Sequence, residues 1–182
     1  MMAALKWLPA FPAALLWVLL NSLAQPLSSR FGILLYTDAA LLLVPARFFP
    51  LRLAIPVVLF GTFCADALRT GPFGFSATVL LPVLLALYGF QEKLRTLSSL
   101  EWLAIISAVN ILAWGAFAWT YTFYVAAPMP VLDILQGVFA GMLVSSAFII
   151  LFGFWFESFQ ISLFALFGKD LYTDPRKEAL ES

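Results

Sequence analysis

Six apolar runs follow one another along the chain, separated by short polar breaks that contain most of the charged residues. A helix needs about 20 apolar residues to cross the roughly 30 Å of hydrocarbon in a bilayer, and the runs have lengths near this value. They cover residues 7–24, 31–49, 51–68, 75–90, 102–124 and 131–156. The pattern therefore predicts an all-α integral membrane protein, built as a bundle of six transmembrane helices.

The chain after the sixth run contains one more apolar stretch, residues 159–167, which is too short to cross a bilayer. We expect it to form a short C-terminal helix in the membrane interface. The polar residues 169–182 follow it. The predicted organisation is a single transmembrane domain, residues 1–168, and a mobile cytoplasmic tail, residues 169–182.

The first run has an alternative interpretation, because Lys6 and the apolar residues after it are also typical of a cleavable signal peptide. Pro9 and Pro12 fit the start of a helix better than the apolar core of a signal peptide. We therefore expect the first run to remain as a span of the protein.

The basic residues predict how the spans are oriented, since Lys and Arg are enriched on the cytoplasmic side of membrane proteins. With six spans and a cytoplasmic N-terminus, eight of the ten Lys and Arg residues are cytoplasmic. They are Lys6, Arg47, Arg52, Lys93, Arg95, Lys169, Arg176 and Lys177, whereas Arg30 and Arg69 lie outside. Both termini are therefore predicted in the cytoplasm, with Trp102 and Trp155 as aromatic anchors at the inner interface.

Composition agrees with a membrane protein and excludes several functions. Hydrophobic residues make up 63% of the chain and charged residues only 11%, where soluble domains have about 25%. The net charge is zero, which gives no basic field for nucleic acid. With one cysteine and no histidine, the usual zinc sites cannot be built, and we expect no metal or cofactor.

Two aspartates and an arginine are predicted in or beside the outer half of the membrane. Asp38 lies roughly 10 Å below the outer edge of the second span, and Asp66 lies in the last turn of the third. Arg69 follows Asp66 by three residues and could meet it on one helical face. These residues either form an outward polar cluster that binds a ligand, or they stabilise the fold. In the second case Asp66 pairs with Arg69 or caps the fourth span.

The residues between the third and fourth spans predict a tight outer hairpin. Gly71 permits a close approach or a positive φ, Pro72 stops the preceding helix, and Gly74 gives the next helix room to begin. Asp66 is positioned to connect this hairpin to neighbouring spans.

The sixth span carries small residues at four-residue intervals, Gly137, Gly141 and Ser145. Such a stripe lets two helix backbones approach closely. It indicates either packing inside the bundle or contact with a partner helix.

The residues of the hairpin also resemble a known family. The pattern of Gly, Asp, Gly-Pro-Phe-Gly and Ala is similar to that of MreD, the small rod-shape-determining membrane protein. It comprises Gly61, Asp66, Gly71, Pro72, Phe73, Gly74 and Ala77. Residues 36–50 resemble the preceding helix of that family, with Asp38 matching its aspartate and Thr37 standing where proline is usual. The resemblance covers about residues 31–92.

The resemblance implies a non-catalytic membrane scaffold of the cell-elongation machinery in the bacterial cytoplasmic membrane. It would contact membrane lipid and bind MreC-like and other elongation-complex membrane proteins, and we expect no small-molecule ligand. MreD proteins are similar in fold to the substrate-binding subunits of energy-coupling-factor transporters, which gives the main alternative. In that alternative, Asp38, Asp66 and Arg69 line an outward pocket, and Ala10 and Ala14 form a docking face for the transporter partner.

An intramembrane enzyme is the third class considered. Serine-type membrane proteases use a Ser-His pair, and the chain has no histidine. Aspartyl-type proteases need two carboxylates at one site. Asp38 and Asp66 could approach each other, but the glycine context of those enzymes is absent around both. We expect no enzymatic activity.

Overall fold

The computed structural model describes residues 8–30, 35–69, 72–124 and 131–167, with the side chains of 27–29 and 121–138 outside the description. Regular structure in these ranges is helical throughout. The elements are α1 (Ala10–Ser29), a 3₁₀ helix (Asp38–Leu42), α2 (Pro45–Phe48), α3 (Leu51–Ala67), α4 (Phe75–Tyr88), α5 (Gln91–Thr96), α6 (Ser99–Tyr124) and α7 (Val131–Leu166). The predicted tail, residues 169–182, lies outside the described residues.

Five of the six predicted spans coincide with helices, namely α1, α3, α4, α6 and α7. Helix α3 starts directly after Pro50, whose backbone is extended at φ −65° and ψ 146°. Pro50 has no backbone N–H and its φ is fixed, so it fits the position just before the first residue of the helix. The α-helical class is therefore confirmed for the described part of the chain.

The second predicted span is wrong as a helix. Residues 35–49, which we name the central segment, consist of a stretch without regular structure, the 3₁₀ helix, a turn and the four-residue α2. A continuous helix is unfavourable here because Pro45 has no backbone N–H for the intrahelical hydrogen bond. Its ring would also clash with the carbonyl of residue 41. The chain instead starts a new helix with Pro45 in its first turn.

The central segment is surrounded by the helices, and every residue from 35 to 49 is buried. Its sequence is as apolar as that of a transmembrane helix, which explains why hydropathy could not separate the two structures. Leu42, Leu43, Val44 and Ala46 have no exposed surface and form the middle of the hydrophobic core. The molecule is thus built around an irregular strip of chain.

Backbone groups in the central segment are satisfied by side chains from the surrounding helices. Trp17 of α1 donates its indole N–H to the carbonyl of Thr37 at 3.2 Å. Two donors come from α6: Trp102 Nε1 reaches the Leu43 carbonyl at 2.8 Å, and Asn110 Nδ2 reaches the Tyr36 carbonyl at 2.7 Å. Buried backbone N–H and C=O groups are costly when they are unpaired, so these bonds stabilise the irregular segment inside the bundle.

Trp102 was predicted as an anchor at the inner membrane interface, and this prediction is wrong. Its side chain is completely buried and its N–H is used inside the bundle. Trp155 is 52% exposed, which fits a residue on the outer surface of the bundle.

Helix α7 is continuous from Val131 to Leu166. The predicted break near residue 157 and the separate interfacial helix over 159–167 are therefore not present. At 1.5 Å per residue, its 36 residues extend for about 54 Å, well beyond the thickness of bilayer hydrocarbon. Gly153 lets α7 approach its neighbours, because a Cβ there would lie 2.7 Å from Leu103 of α6.

Among the residues that the structure describes, two helices are long and apolar enough to cross a membrane by length and composition, with segments 99–120 of α6 and 139–166 of α7. Helices α1 and α4 contain shorter apolar stretches. Large apolar side chains are exposed on α6 and α7, among them Leu112, Trp119 and Leu151. An outer surface of this kind fits contact with lipid.

Replacing Trp102 with Phe tests the importance of the backbone pairing. The change removes the donor to the buried Leu43 carbonyl, so we expect the free energy of unfolding to fall by about 1–3 kcal/mol. The matched control is Trp119→Phe at a side chain that is 70% exposed, where we expect a change within about 0.5 kcal/mol. Equilibrium unfolding in mixed detergent measures both, and equal effects would contradict the role assigned to the Trp102 hydrogen bond.

Candidate functional site

The outer cluster consists of Tyr36, Asp38, Asp66, Arg69 and Ser76. Asp38 begins the 3₁₀ helix, and Arg69 follows the end of α3. The guanidinium donates to both oxygens of Asp38, with Nη1 to Oδ2 at 2.6 Å and Nη2 to Oδ1 at 2.5 Å. This bidentate ion pair joins the central segment to the end of α3.

Ser76 connects the two aspartates of the outer cluster. Its Oγ lies 2.6 Å from Asp38 Oδ2 and 2.6 Å from Asp66 Oδ1. Its backbone N–H also donates to Asp66 Oδ2 at 3.1 Å. Because Ser76 is the second residue of α4, the Asp66 carboxyl satisfies one of the unpaired N–H groups at the start of that helix.

Tyr36 closes the outer cluster on the side of the core. The Arg69 guanidinium carbon lies 4.7 Å from the centre of the Tyr36 ring, within the range of a cation–π contact. The ring also stacks on Phe117 of α6, with 5.3 Å between the centroids. Arg69 is therefore held by a carboxylate and an aromatic face together.

The structure brings the three predicted residues of the outer cluster together, but with different pairing. The salt bridge of Arg69 is to Asp38, 31 residues away, and not to Asp66 on its own helix. Asp66 caps α4, which is one of the two structural roles considered for it. Ser76 and Tyr36 were not predicted as members. A serine in the first turn of a predicted helix was the available signal for Ser76.

The hairpin before α4 is a turn over residues 72–75. The N–H of Phe75 donates to the Pro72 carbonyl at 3.2 Å, and Gly74 has φ +86° and ψ 0°. These angles match the third position of a type II turn, which requires positive φ. Gly74 was predicted to give α4 room, and its contribution is this backbone conformation, since a Cβ added there would meet no atom within 4 Å. Gly71 lies outside the described residues.

The small residues of α7 face the interior where their packing is described. Gly141 is buried, and Ser145 has no exposed surface. Ser145 Oγ accepts the N–H of Tyr36 at 3.0 Å, another bond to the central segment. These positions serve internal packing, whereas the surroundings of Gly137 lie outside the described side chains.

Gly61 and the alanines of α1 also serve internal packing. A Cβ at Gly61 would lie 2.9 Å from Leu41 of the 3₁₀ helix and 3.5 Å from Ala14. Ala10 and Ala14 are buried in the core. The predicted docking face on these alanines is therefore covered by the protein itself.

A second cluster, the inner cluster, lies at the other end of the central segment and was not predicted. Arg47 of α2 forms a buried salt bridge with Glu157 of α7 at 2.8 Å, and it also donates to the carbonyl of Leu97. Arg95 donates to the carbonyls of Arg47 at 3.0 Å and Phe48 at 3.3 Å. Arg47 was predicted on the cytoplasmic side, and its side chain is only 2% exposed, so it is an internal charge and not one at the surface.

The described residues include no group of three or more His, Cys, Asp or Glu side chains placed to hold a metal ion. A groove of about 390 Å³ lies over residues 88–93, between α4 and α5, and is lined by Tyr88 and Lys93 among others. It lies at the C-terminal end of α4, whereas Ser76 of the outer cluster lies at the N-terminal end of that helix.

Comparisons of the chain with protein-family models, curated proteins and solved structures found no match. The resemblance to MreD proteins rests on the motif residues themselves.

Replacing Gly74 with Ala tests the turn. An L-residue at φ +86° is strained, so we expect the free energy of unfolding to fall by about 1–2 kcal/mol. Gly89→Ala is the control, because Gly89 at the end of α4 has the ordinary φ of −59°. There we expect a change within about 0.5 kcal/mol. Unfolding curves in mixed detergent compare the two variants, and equal losses would argue against the strain.

A double-mutant cycle tests the inner ion pair. Glu157→Gln leaves the Arg47 charge buried without its counter-ion, and we expect a loss of about 3–5 kcal/mol. Arg47→Met is the second single variant, and combining it with Glu157→Gln removes both charges, so the cost of the double variant should be clearly smaller than the sum of the two single costs. Glu101→Gln is the exposed control, since glutamine can still accept the hydrogen bond from the Ser98 N–H. Additive losses in the cycle would disprove coupling between Arg47 and Glu157.

Proposed function

We propose that this protein is a multi-pass, non-catalytic scaffold of the cell-elongation machinery in the bacterial cytoplasmic membrane. In this role it regulates cell shape by binding membrane proteins of that machinery, including an MreC-like partner. The observation that carries the proposal is the state of the two aspartates: all four carboxyl oxygens are engaged by Arg69 or Ser76. The motif residues are used to hold the fold together, which supports a role as a rigid binding partner.

The positions of the motif residues support the resemblance on which the proposal rests. Asp66 caps α4, Gly74 provides the positive φ of the hairpin, and Gly61 gives space to the 3₁₀ helix. The cap needs a side-chain oxygen that accepts a hydrogen bond, and the two glycine positions favour a residue without a side chain. A short pattern of glycines and one aspartate therefore corresponds to a single structural unit, the connection of α3 to α4 and the central segment.

The arrangement of the polar clusters supports a six-pass topology with both termini in the cytoplasm. The outer cluster lies at the C-terminal end of α3, and Arg47 of the inner cluster lies just before its N-terminal end. The 17 residues of α3 correspond to about 25 Å, which is close to the hydrocarbon thickness. We propose that the central segment takes the place of the second span, with the outer cluster in the extracytoplasmic leaflet.

The alternative of a transporter substrate-binding subunit receives less support. It would use Asp38, Asp66 and Arg69 to bind a polar ligand, but these groups bind one another. Its docking face on Ala10 and Ala14 is buried in the core. An aspartyl-type enzyme also receives less support, because Arg69 engages both oxygens of Asp38.

Purification of the tagged full chain in mild detergent tests the proposal. We expect elongation-complex membrane proteins to be recovered with it, including an MreC-like protein, and we expect energy-coupling ATPases to be absent. The fold-neutral Trp119→Phe variant should recover the same proteins, and an unrelated multi-pass protein with the same tag should not. Recovery of the ATPases alone would contradict the scaffold and favour the transporter subunit.

A further inference from the structure

If both aspartates are ionised, the outer cluster has only one proton for the two short contacts that Ser76 Oγ makes with them. Ser76 Oγ lies 2.6 Å from an oxygen of Asp38 and 2.6 Å from an oxygen of Asp66, and both separations are hydrogen-bond distances. A serine hydroxyl has one proton to donate, and an ionised carboxylate has none. If both carboxylates were ionised, the hydroxyl proton could point fully at only one of them, and the other carboxylate oxygen would lie 2.6 Å from the serine oxygen without a proton of its own between them. A proton on one carboxyl group gives each of the two short contacts a hydrogen atom.

The other contacts identify which carboxyl group holds this proton. Both oxygens of Asp38 accept hydrogen bonds from the Arg69 guanidinium, and a proton on Asp38 would face that positive charge. Asp66 has no salt bridge among the described residues. Its Oδ2 accepts the Ser76 N–H, which leaves Oδ1 to carry a proton directed at Ser76 Oγ. The Ser76 hydroxyl then donates its own proton to Asp38.

Charge balance gives the same assignment independently of the hydrogen count. Asp38, Asp66 and Ser76 are buried, and Arg69 is nearly so, with 10% of its side chain exposed. Burying a charge without a partner is costly, whereas a paired set with zero net charge avoids most of that cost. Arg69 compensates one carboxylate, Asp38, and a neutral Asp66 leaves the cluster with no excess charge.

The groups that face Asp66 come from three elements and from the residues that flank them. Asp38 begins the 3₁₀ helix and Tyr36 precedes it, Arg69 follows α3, and Ser76 belongs to α4. Helix α6 contributes the Phe117 ring, which has no titratable group. Among the described residues, Arg69 is the positive group of this set, and it is bonded to Asp38.

We propose that Asp66 is a neutral carboxylic acid in the folded protein and donates its proton to Ser76, so that the outer cluster binds one proton. Deprotonation would place a second negative charge beside Asp38 and remove the hydrogen bond from Asp66 to Ser76. The connection of α3, α4 and the central segment is therefore strongest when the proton is bound. This inference does not depend on the proposed scaffold function.

Infrared spectroscopy of the purified full chain tests the protonation state directly. A protonated carboxyl group gives a C=O band that is distinct from the carboxylate bands. We expect this band in the wild-type protein at neutral pH and its loss in Asp66→Asn. Persistence of every protonated-carboxyl band in Asp66→Asn, or absence of such a band in the wild type, would overturn the proposal.

Stability measurements give an independent test with two matched variants. Asp66→Asn keeps the hydrogen-bond pattern, because an amide N–H can donate to Ser76 Oγ and the amide carbonyl can accept the Ser76 N–H. We expect it to retain the wild-type unfolding midpoint at neutral pH. Asp38→Asn leaves Arg69 without a counter-ion, and we expect its midpoint to fall by roughly 6 °C or more. Equal or larger loss in Asp66→Asn would overturn the assignment of the proton.

The pH dependence has a definite sign. The folded protein holds the proton at a pH where an aspartate in the unfolded chain, with an ordinary pKa of about 3.9, has lost it. Unfolding then releases a proton, so raising the pH favours unfolding by up to about tenfold in the equilibrium constant per pH unit. We expect this slope in the wild type until the proton is lost from the folded state, and its absence in Asp66→Asn. The same slope in both proteins would contradict the proposal.

Discussion

The need to pair the backbone of residues 35–49 governs the rest of this structure. A regular helix satisfies its own N–H and C=O groups, but an irregular segment in the middle of a bundle must find partners elsewhere. Here the partners are side chains of Trp17, Trp102, Asn110 and Ser145, which come from three different helices. Each of these side chains reaches its backbone partner only at one axial position and one rotation of its helix. The central segment therefore fixes the relative positions of α1, α6 and α7.

The two charged clusters hold this arrangement at both ends of the central segment. In the outer cluster, Asp38 is bonded to Arg69, and in the inner cluster Arg47 is bonded to Glu157. Both pairs join the segment to helices that are distant in sequence, and both are shielded from solvent. Buried ion pairs often contribute little net stability compared with apolar residues of the same size, whereas breaking one is costly. Other positions of the central segment would separate these pairs and leave buried charges without partners, which is unfavourable.

The sequence allowed the helical class and five of the helices to be predicted, because long apolar runs bounded by proline, glycine and charge determine their ends. It did not reveal that residues 35–49 are irregular, since burial inside protein and burial in lipid select the same apolar side chains. Pro45 was the local signal for an interruption of the helix. Asp38, Asp66 and Arg69 were predicted to lie near one another because they have similar depths in the predicted spans. Their pairing depends on how helices rotate and pack, which depth does not determine, and the contact of Arg47 with Glu157 crosses 110 residues for the same reason.

The central segment also constrains the order in which the protein is assembled. Its backbone partners include Ser145, which is synthesised more than a hundred residues after Tyr36. When residues 35–49 leave the ribosome, α6 and α7 do not yet exist, so the backbone groups of Tyr36 and Leu43 lack the partners that they have in the folded protein. These backbone groups can be paired within the protein only after the last helix has been synthesised. Enclosure of the central segment is consequently a late step of folding, which depends on residues from both halves of the sequence.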